Sequence, residues 1–453
     1  MKNKLLFRLS IFIGKVIFLG LQILGKQGTA LPGKIALKIY PSILNDLSKK
    51  CEKIIVITGT NGKTTTNNLI NHILNGKYEN IVSNLKGANM IQGVVTSFIV
   101  NNKNKYEWGI FEVDEGSVPN VIEFITPNYM ILTNFFRDQL DRYGEVDNTV
   151  KLVYDSLKSN DTTLIINADD PLNLKFDDLN NNKIYYGVEE NNFSKKELSV
   201  AEAIFCVKCG KRLEYDYINY GNIGKFKCER CGAERVSLDY SVESIDMKDN
   251  SYEFLVKIHE KKKESFIFRY MGIYNIYNCL AAITFAVEIG LDLEYIKEKI
   301  ENFEYKLGRM ETINFPNKDV ILVLSKNPVG LSEVLSTIAY DEDDKSVLFI
   351  LNDEPADGKD ISWIWDANIE EIADISSITN FYSSGMRSEE VSLRIKYAGF
   401  PEEKIKTFPS CKDNIKRSVK EILNDNQSKS YIIGTFTAMP KARKILIKEQ
   451  KLE

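Results

Sequence analysis

The chain is poor in histidine, with only His72 and His259 among 453 residues. Neither stands with a cysteine in a nucleophile pattern, so no cysteine–histidine nucleophile centre is read from the chain. A strong charge of one sign is also missing. A formal net charge of −4 removes the bulk electrostatics that nucleic-acid binding relies on. Seven cysteines, four of them in metal-type spacing, favour a reducing compartment over a disulfide framework. There is no uncharged apolar run long enough to span a bilayer, because Lys4, Arg8 and Lys15 interrupt the apolar stretch from residue 4 to 25. No convincing signal-peptidase site follows that stretch. Two readings of it remain, a helix packed on the protein body or one resting on a membrane surface. What is present is a composition of 43% apolar residues in a length that suggests roughly three domains.

Residues 53 to 66 read KIIVITGTNGKTTT. The run Ile54 to Ile57 predicts a buried strand, and Asn67 to Leu74 predicts helical continuation. Between them, Thr58-Gly59-Thr60-Asn61-Gly62-Lys63-Thr64 has the composition of a phosphate cradle. Its glycines let backbone N–H groups turn toward an anion, and the following helix offers its positive end. Lys63 can then reach the outer phosphates, and the Thr64 hydroxyl can ligate Mg²⁺. Gly59, Thr60, Asn61, Gly62, Lys63, Thr64 and Thr65 are therefore the candidate nucleotide contacts. The general pattern has a glycine where Ile57 stands here, and Gly59 does its work one turn closer.

This form of the loop resembles the Mur ligase family, whose members phosphorylate a carboxylate with ATP and then form an amide bond. The resemblance implies roles further along. Trp108 to Phe111 predicts a strand that ends in Glu112-Val113-Asp114-Glu115, and carboxylates at such an end are placed to hold a metal beside phosphates. The family pattern carries Mg²⁺ to Glu112, with Glu115 in reserve. Residues 129 to 144 predict a strand ending in Thr133-Asn134, followed by Asp138-Gln139-Leu140-Asp141. Gln139 replaces a metal-ligating histidine of the family, which weakens a second metal site. Asp169 and Asp170 follow another predicted strand and are expected to cap its turn. Asn275 and Asn278 lie on one side of a predicted helix and match the family's adenine-contacting asparagines. Arg309, in Leu307-Gly308-Arg309-Met310-Glu311, matches its phosphate-contacting arginine. The loop from 84 to 90 is either an ordinary connection or an approach to substrate.

The most specific feature is Cys206-Val207-Lys208-Cys209 followed, after eighteen residues, by Cys228-Glu229-Arg230-Cys231. A glycine follows each pair. Four thiolates at this spacing predict a zinc ribbon with short strands between the pairs, and no spare ligand leaves an open coordination position, so the metal is structural. A nucleic-acid ribbon would need a sustained basic patch nearby, which is lacking. Cys51, Cys279 and Cys411 are isolated and expected to be buried or inert.

From about Thr312 a new alternation begins, with strands at Val320 to Leu324, Ser346 to Leu351 and Tyr431 to Gly434, and a helix from Gly330 to Ala339. The family's third domain is a Rossmann-like lid, but its usual D-Y-A-H-x-P segment is replaced by Leu324-Ser325-Lys326-Asn327-Pro328. The run from Asn352 to Asp366 contains Asp357, Asp360 and two of the three tryptophans. The ribbon, the Gln139 replacement and this run resemble the MurT branch of the family, over essentially the whole chain. That resemblance implies a synthetase subunit for peptidoglycan synthesis. It would amidate the α-carboxyl of D-Glu in the lipid II stem peptide through an acyl phosphate, with ammonia from a separate GatD-type glutaminase. It implies too that an aspartate, Asp357 first and Asp360 second, orients the glutaminase's catalytic histidine. ATP, Mg²⁺ and a structural Zn²⁺ are the expected cofactors.

The expected architecture is α/β. Residues 1–48 form an amphipathic helical segment. Residues 49–311 form a Mur ligase-type ATP-binding domain with the four-cysteine zinc ribbon inserted at about 204–235, and 312–453 a Rossmann-like domain that contacts the glutaminase. A cytoplasmic location is expected, at the inner membrane face if the first helix rests there. Other readings are weaker. An amino-acid-adding ligase would be expected to keep the missing histidine, and a folylpolyglutamate synthase-like enzyme lacks the ribbon. A nucleotide-binding scaffold is disfavoured by the intact Lys63, Thr64, Glu112, Asn275 and Arg309.

Overall fold

A strand that is apolar at every position cannot leave one face in water. Ile55 and Ile57 accordingly face one buried cluster, with Leu69, Ile70 and Ile73, while Ile54 and Val56 face a second, with Val94, Val95 and Phe98. The computed structural model describes residues 2–84, 88–137, 146–196, 204–248, 251–260, 262–304, 309–373 and 375–451. The Gln139 segment and the middle of the 84 to 90 loop lie outside the described residues, as does the side chain of Arg309.

The central sheet contains β1 (Cys51–Thr58), β2 (Ile81–Ser83), β3 (Tyr106–Glu112), β4 (Tyr129–Leu132), β5 (Thr163–Asn167) and β6 (Lys183–Val188). A separate hairpin is made by β7 (Glu214–Tyr220) and β8 (Ile223–Lys227). The central sheet then continues with β9 (Tyr240–Lys248), β10 (Ser251–Ile258) and β11 (Lys262–Phe268), giving nine strands in the order β11-β10-β9-β6-β5-β4-β1-β3-β2. From β2 to β9 neighbouring strands run parallel, and β9, β10 and β11 close the sheet as an antiparallel meander. The order reverses at β1, between β3 and β4, which is where open α/β sheets bind ligands. Ile57 is level with both Glu112 and Ile131, so the ends of β3 and β4 flank the loop that leaves β1.

The second sheet holds β12 (Arg309–Phe315), β13 (Lys318–Leu324), β14 (Lys345–Leu351), β15 (Ile378–Gly385), β16 (Ile405–Thr407) and β17 (Lys429–Gly434). Its order is β12-β13-β17-β14-β15-β16, parallel except for the hairpin of β12 with β13. The expected helix in this region runs over Pro328–Tyr340 and is capped by the Asn327 side chain, which accepts from the Gly330 N–H at 2.8 Å.

The first helix, Lys2–Ile23, packs on the body along one face only. There a Cβ on Gly14 would stand 2.8 Å from Ile99, and Phe7 meets Tyr40 edge-on at 6.3 Å. The opposite face leaves Leu5, Leu9, Phe12, Val16, Leu19 and Ile23 exposed. By length and composition Asn3–Ile23 is apolar enough to cross a membrane, with a mean hydropathy of 1.8 even though Arg8 and Lys15 lie within its apolar stretch. That criterion is weak for one helix near an N-terminus.

Candidate active site

The loop after β1 has the conformation its glycines predict. Gly59 and Gly62 take φ values of +123° and +88°, which disfavour residues with a Cβ. Space demands glycine as well: a Cβ on Gly59 would lie 2.3 Å from Thr133 Oγ1, and one on Gly62 would lie 2.1 Å from Asn278 Oδ1. Gly62 then begins the helix Lys63–Asn75. The end of β4 holds the loop in shape. Asn134 accepts the Thr60 N–H on its carbonyl at 2.7 Å and the Asn61 N–H on its side chain at 2.9 Å. The Thr133 hydroxyl donates to the Asn61 carbonyl at 2.8 Å.

Lys63 is 5% exposed and folds back over its own loop. Its ammonium donates to the Gly59 carbonyl, to the Thr60 carbonyl at 3.2 Å and to Glu115 at 2.8 Å, with Asp114 at 3.9 Å. Glu115 also accepts from the Thr60 hydroxyl at 2.8 Å. Burial alone would push the Glu115 carboxyl up. Lys63, assisted by Lys326, outweighs burial and holds it below the usual carboxylate range. Glu115, the reserve carboxylate of the sequence reading, is thus in direct contact with the loop. Glu112 is fully buried where β3 ends, and Thr64 sits in the first turn of the loop helix. Both offer the hard oxygen donors that suit Mg²⁺.

Beside the cradle lies a pocket lined by Asn61, Gly62, Thr65, Tyr220, Asn275, Asn278, Met310, Val329 and Glu333, among others. Asn275 and Asn278 reach it from the helix Ile273–Glu288, as expected, and the Asn278 side chain donates to that of Asn275 at 3.4 Å. The second sheet supplies the other wall. There Asn327 donates to the Asn61 side chain at 2.9 Å, a contact from the segment that replaces the family's D-Y-A-H-x-P. Glu333 is partly open to the cavity but ringed by protein. Burial, against the pull of Lys195 and with repulsion from Glu371, pushes its carboxyl up to about 8.

The pair after β5 does more than cap a turn. Asp170 does so, accepting from Leu172 N–H at 3.0 Å and from Phe135 N–H at 2.6 Å. Asp169 instead collects Tyr277 at 2.6 Å, the Val188 N–H at 2.7 Å and Arg235 at 3.1 Å. Burial pushes Asp170 up to about 7.

The four cysteines come together. Their sulfurs lie within 4.8 Å of one another, with Cys206 to Cys231 at 3.6 Å and Cys209 to Cys228 at 3.5 Å. A tetrahedral Zn–S₄ site needs edges of about 3.8 Å, so the donors fit zinc. Gly210 and Gly232, at φ +69° and +71°, turn the chain after each pair. Of the isolated cysteines, Cys279 is buried and Cys51 half-buried, but Cys411 is exposed, so burial does not make it inert.

The two aspartates of the second sheet differ. Asp357 is 6% exposed and accepts from the Thr437 N–H at 2.8 Å and from its hydroxyl. Asp360 is half-buried and accepts from the Ser362 N–H at 2.8 Å ahead of the short helix Trp363–Asp366. On that short helix Trp365 stands 45% exposed, in edge contact at 5.8 Å with Tyr397, which is 72% exposed.

Comparison with known proteins agrees with this geometry. Residues 57–229 match the Mur ligase middle domain and 324–439 the MurT ligase C-terminal domain. The lipid II isoglutaminyl synthase (glutamine-hydrolyzing) subunit MurT of Staphylococcus aureus (strain COL) is 38% identical over 83% of this chain and 84% of its own. The chain belongs to the MurT family. The subunit of that name from Streptococcus pneumoniae (strain ATCC BAA-255 / R6) is 35% identical over 94% of this chain and 93% of its own. Among solved structures, a pseudomurein peptide ligase type C from Methanothermus fervidus superposes with a TM-score of 0.68 at 22% identity, covering 92% of this chain and 84% of that one. The MurF ligase of Thermotoga maritima in complex with ADP gives 0.65 at 12% identity, with the same coverage. The fold is that of the Mur ligases, and as a MurT-family member the chain is an ATP-dependent ligase.

Sequence reasoning missed Asn134, Asn327, Tyr220 and Glu333 as parts of this site. For Asn134 a signal existed, a polar residue ending an apolar strand. The others come from elements distant in sequence.

Proposed function

We propose that the protein amidates the α-carboxyl of the D-glutamyl residue in the lipid II stem peptide, as the synthetase subunit of a complex with a GatD-type glutaminase. The observation that supports this most is the buried Lys63, paired with Glu115 inside a phosphate cradle that opens on the pocket of Asn275 and Asn278. Bound Mg²⁺-ATP supplies the phosphoryl group that makes the carboxyl an acyl donor for ammonia. The chain's own residues arrange the rest. Glu115 holds the Lys63 ammonium over the loop until phosphate oxygens compete for it. Gly59, Thr60, Gly62 and Thr65 shape the cradle, Thr64 and Glu112 would hold Mg²⁺, and Asn275, Asn278 and Arg309 are assigned to the nucleotide. Zinc at Cys206, Cys209, Cys228 and Cys231 would be structural. Residues 1–48, 49–308 and 309–453 act as the three units of this reading, the last boundary standing three residues before the expected 312 because β12 already belongs to the second sheet.

The glutaminase would meet the second sheet. Asp357 is buried and committed to Thr437, whereas Asp360 is more open to solvent, so Asp360 moves ahead of Asp357 as the residue that orients the partner's histidine. The protein would work at the inner face of the cytoplasmic membrane. The first 45 residues contain seven basic and no acidic side chains, and the exposed row Leu5, Leu9, Phe12, Val16, Leu19 and Ile23 lies on the same helix. Phe12→Glu should release the protein from anionic vesicles in a flotation assay, and unchanged flotation would remove this part of the reading.

The central test is ADP release by the purified chain with lipid II, Mg²⁺-ATP and ammonium chloride, and no glutaminase. Lipid-dependent turnover with a product lighter by one mass unit, abolished in Lys63→Ala, is the expected result. Turnover that appears only with the glutaminase and glutamine would mean that the partner completes the site. Silence in both would refute the proposal.

A further inference from the structure

The β7–β8 hairpin is tied to the cysteines at one end and enters the candidate nucleotide site at the other. Lys227, the last residue of β8, directly precedes Cys228, and β7 begins at Glu214, shortly after Cys209. The opposite end, the turn at Gly221-Asn222, is driven into the body. A Cβ on Gly221, at φ +54°, would lie 3.0 Å from Val329 and 3.1 Å from Phe136. Tyr220, at 4% exposure, lines the pocket, and its hydroxyl accepts from Asn134 at 3.3 Å. Asn134 is the residue that clamps the phosphate loop.

A second route runs along the hairpin's side. Arg235, just past Cys231, donates to Asp169 at 3.1 Å and to the Tyr217 hydroxyl at 3.0 Å. Asp169 accepts from Tyr277 at 2.6 Å, and the Tyr277 hydroxyl accepts from Asn219 at 2.8 Å. Tyr277 lies on the helix that carries Asn275 and Asn278. These groups are mostly buried, so displacing one leaves its partners unsatisfied in low dielectric. Around the cysteines themselves the apolar packing is thin, a small cluster of Leu174, Leu213, Phe226 and Ala233. That leaves the bound metal as the main constraint on the hairpin's root.

We propose that the four-cysteine metal site and the nucleotide pocket are energetically coupled: the metal fixes the hairpin that carries Tyr220, and each ligand raises the other's affinity. The inference rests on the pocket being the nucleotide site. Tyr220 is the contact residue, and Arg235 and Tyr277 are positioning residues. Bound zinc contributes only a rigid tetrahedral link between the knuckles.

The test uses the full chain, with a fluorescent ATP analogue to report nucleotide binding and a chromogenic chelator to report zinc transfer. Removing zinc should weaken nucleotide binding about tenfold, and saturating nucleotide should strengthen zinc retention by the same factor, because coupling between two sites is reciprocal. Tyr220→Ala removes a buried ring and should melt lower, yet keep its zinc, bind nucleotide more weakly and lose the reciprocal protection. If the zinc-free protein stays folded by circular dichroism and binds nucleotide with unchanged affinity, the coupling is refuted. If it unfolds, Tyr220→Ala decides, and full protection of zinc by nucleotide in that variant refutes the proposal. Zinc-loaded wild type that binds no nucleotide would instead overturn the reading of the pocket.

Discussion

Both sheets carry carboxylates where parallel strands end, and they use them in opposite ways. At the end of β3, Glu115 is sunk against Lys63, its charge spent inside the protein. After β14, Asp353 pairs with a half-exposed Arg387 at 2.7 Å, and Asp360 is only half-buried. On the proposed reading the first edge takes a small anion that displaces the internal pair of Lys63 and Glu115, and the second is the edge that the glutaminase covers.

The sharpest way to break this contrast is Lys63→Ala. It should cost at least about 1000-fold in ADP release with either ammonia or glutamine as nitrogen source, because it removes charge stabilisation common to both. Asp360→Asn should separate the two edges. Glutamine-driven turnover should fall about 100-fold while ammonia-driven turnover stays, as expected for the third member of a triad. An equal loss with both nitrogen sources would place Asp360 in the synthetase instead. Asp357→Asn should lower the melting temperature by about 3 °C through its weakened bonds to Thr437 and affect both sources alike.

The smallest expected effect concerns Glu333. Its carboxyl, ordinarily near 4.5, is held up at about 8 by burial, so the folded protein binds more protons than the unfolded chain between those values. Stability from this group is therefore full below about pH 4.5 and is lost as pH rises toward 8. Ionisation there also sets a negative charge beside the bound nucleotide. Nucleotide affinity should drop severalfold from about pH 7 to 9 in the wild type and stay flat in Glu333→Gln. The same slope in both proteins would clear Glu333 of this role.

The phosphate loop was legible in the sequence because its chemistry depends on neighbours in the chain: two glycines one helical turn apart, then a lysine and a hydroxyl. The four cysteines were legible for the same reason, and so were the strands flanking both. Glu115 was ranked second because no local rule separates it from Glu112. Only the register of β1 with β3, and the path of the chain after β3, puts Glu115 against Lys63. Tyr220 lies in the segment between the cysteine pairs and looks like filler until the hairpin folds inward. The first helix shows what composition omits. Its apolar residues were plain, but which of them face water depends on where Gly14 lets Ile99 approach.

The uneven charge of the chain has a consequence for arrival as well as for binding. With +7 on the first 45 residues and an overall −4, the other 408 carry −11, so the molecule is a permanent electric dipole. Near an anionic surface such a body experiences a torque before it touches, and it turns its basic segment forward within about one Debye length, 8 Å at physiological salt. Raising the salt would then slow landing more than it speeds departure.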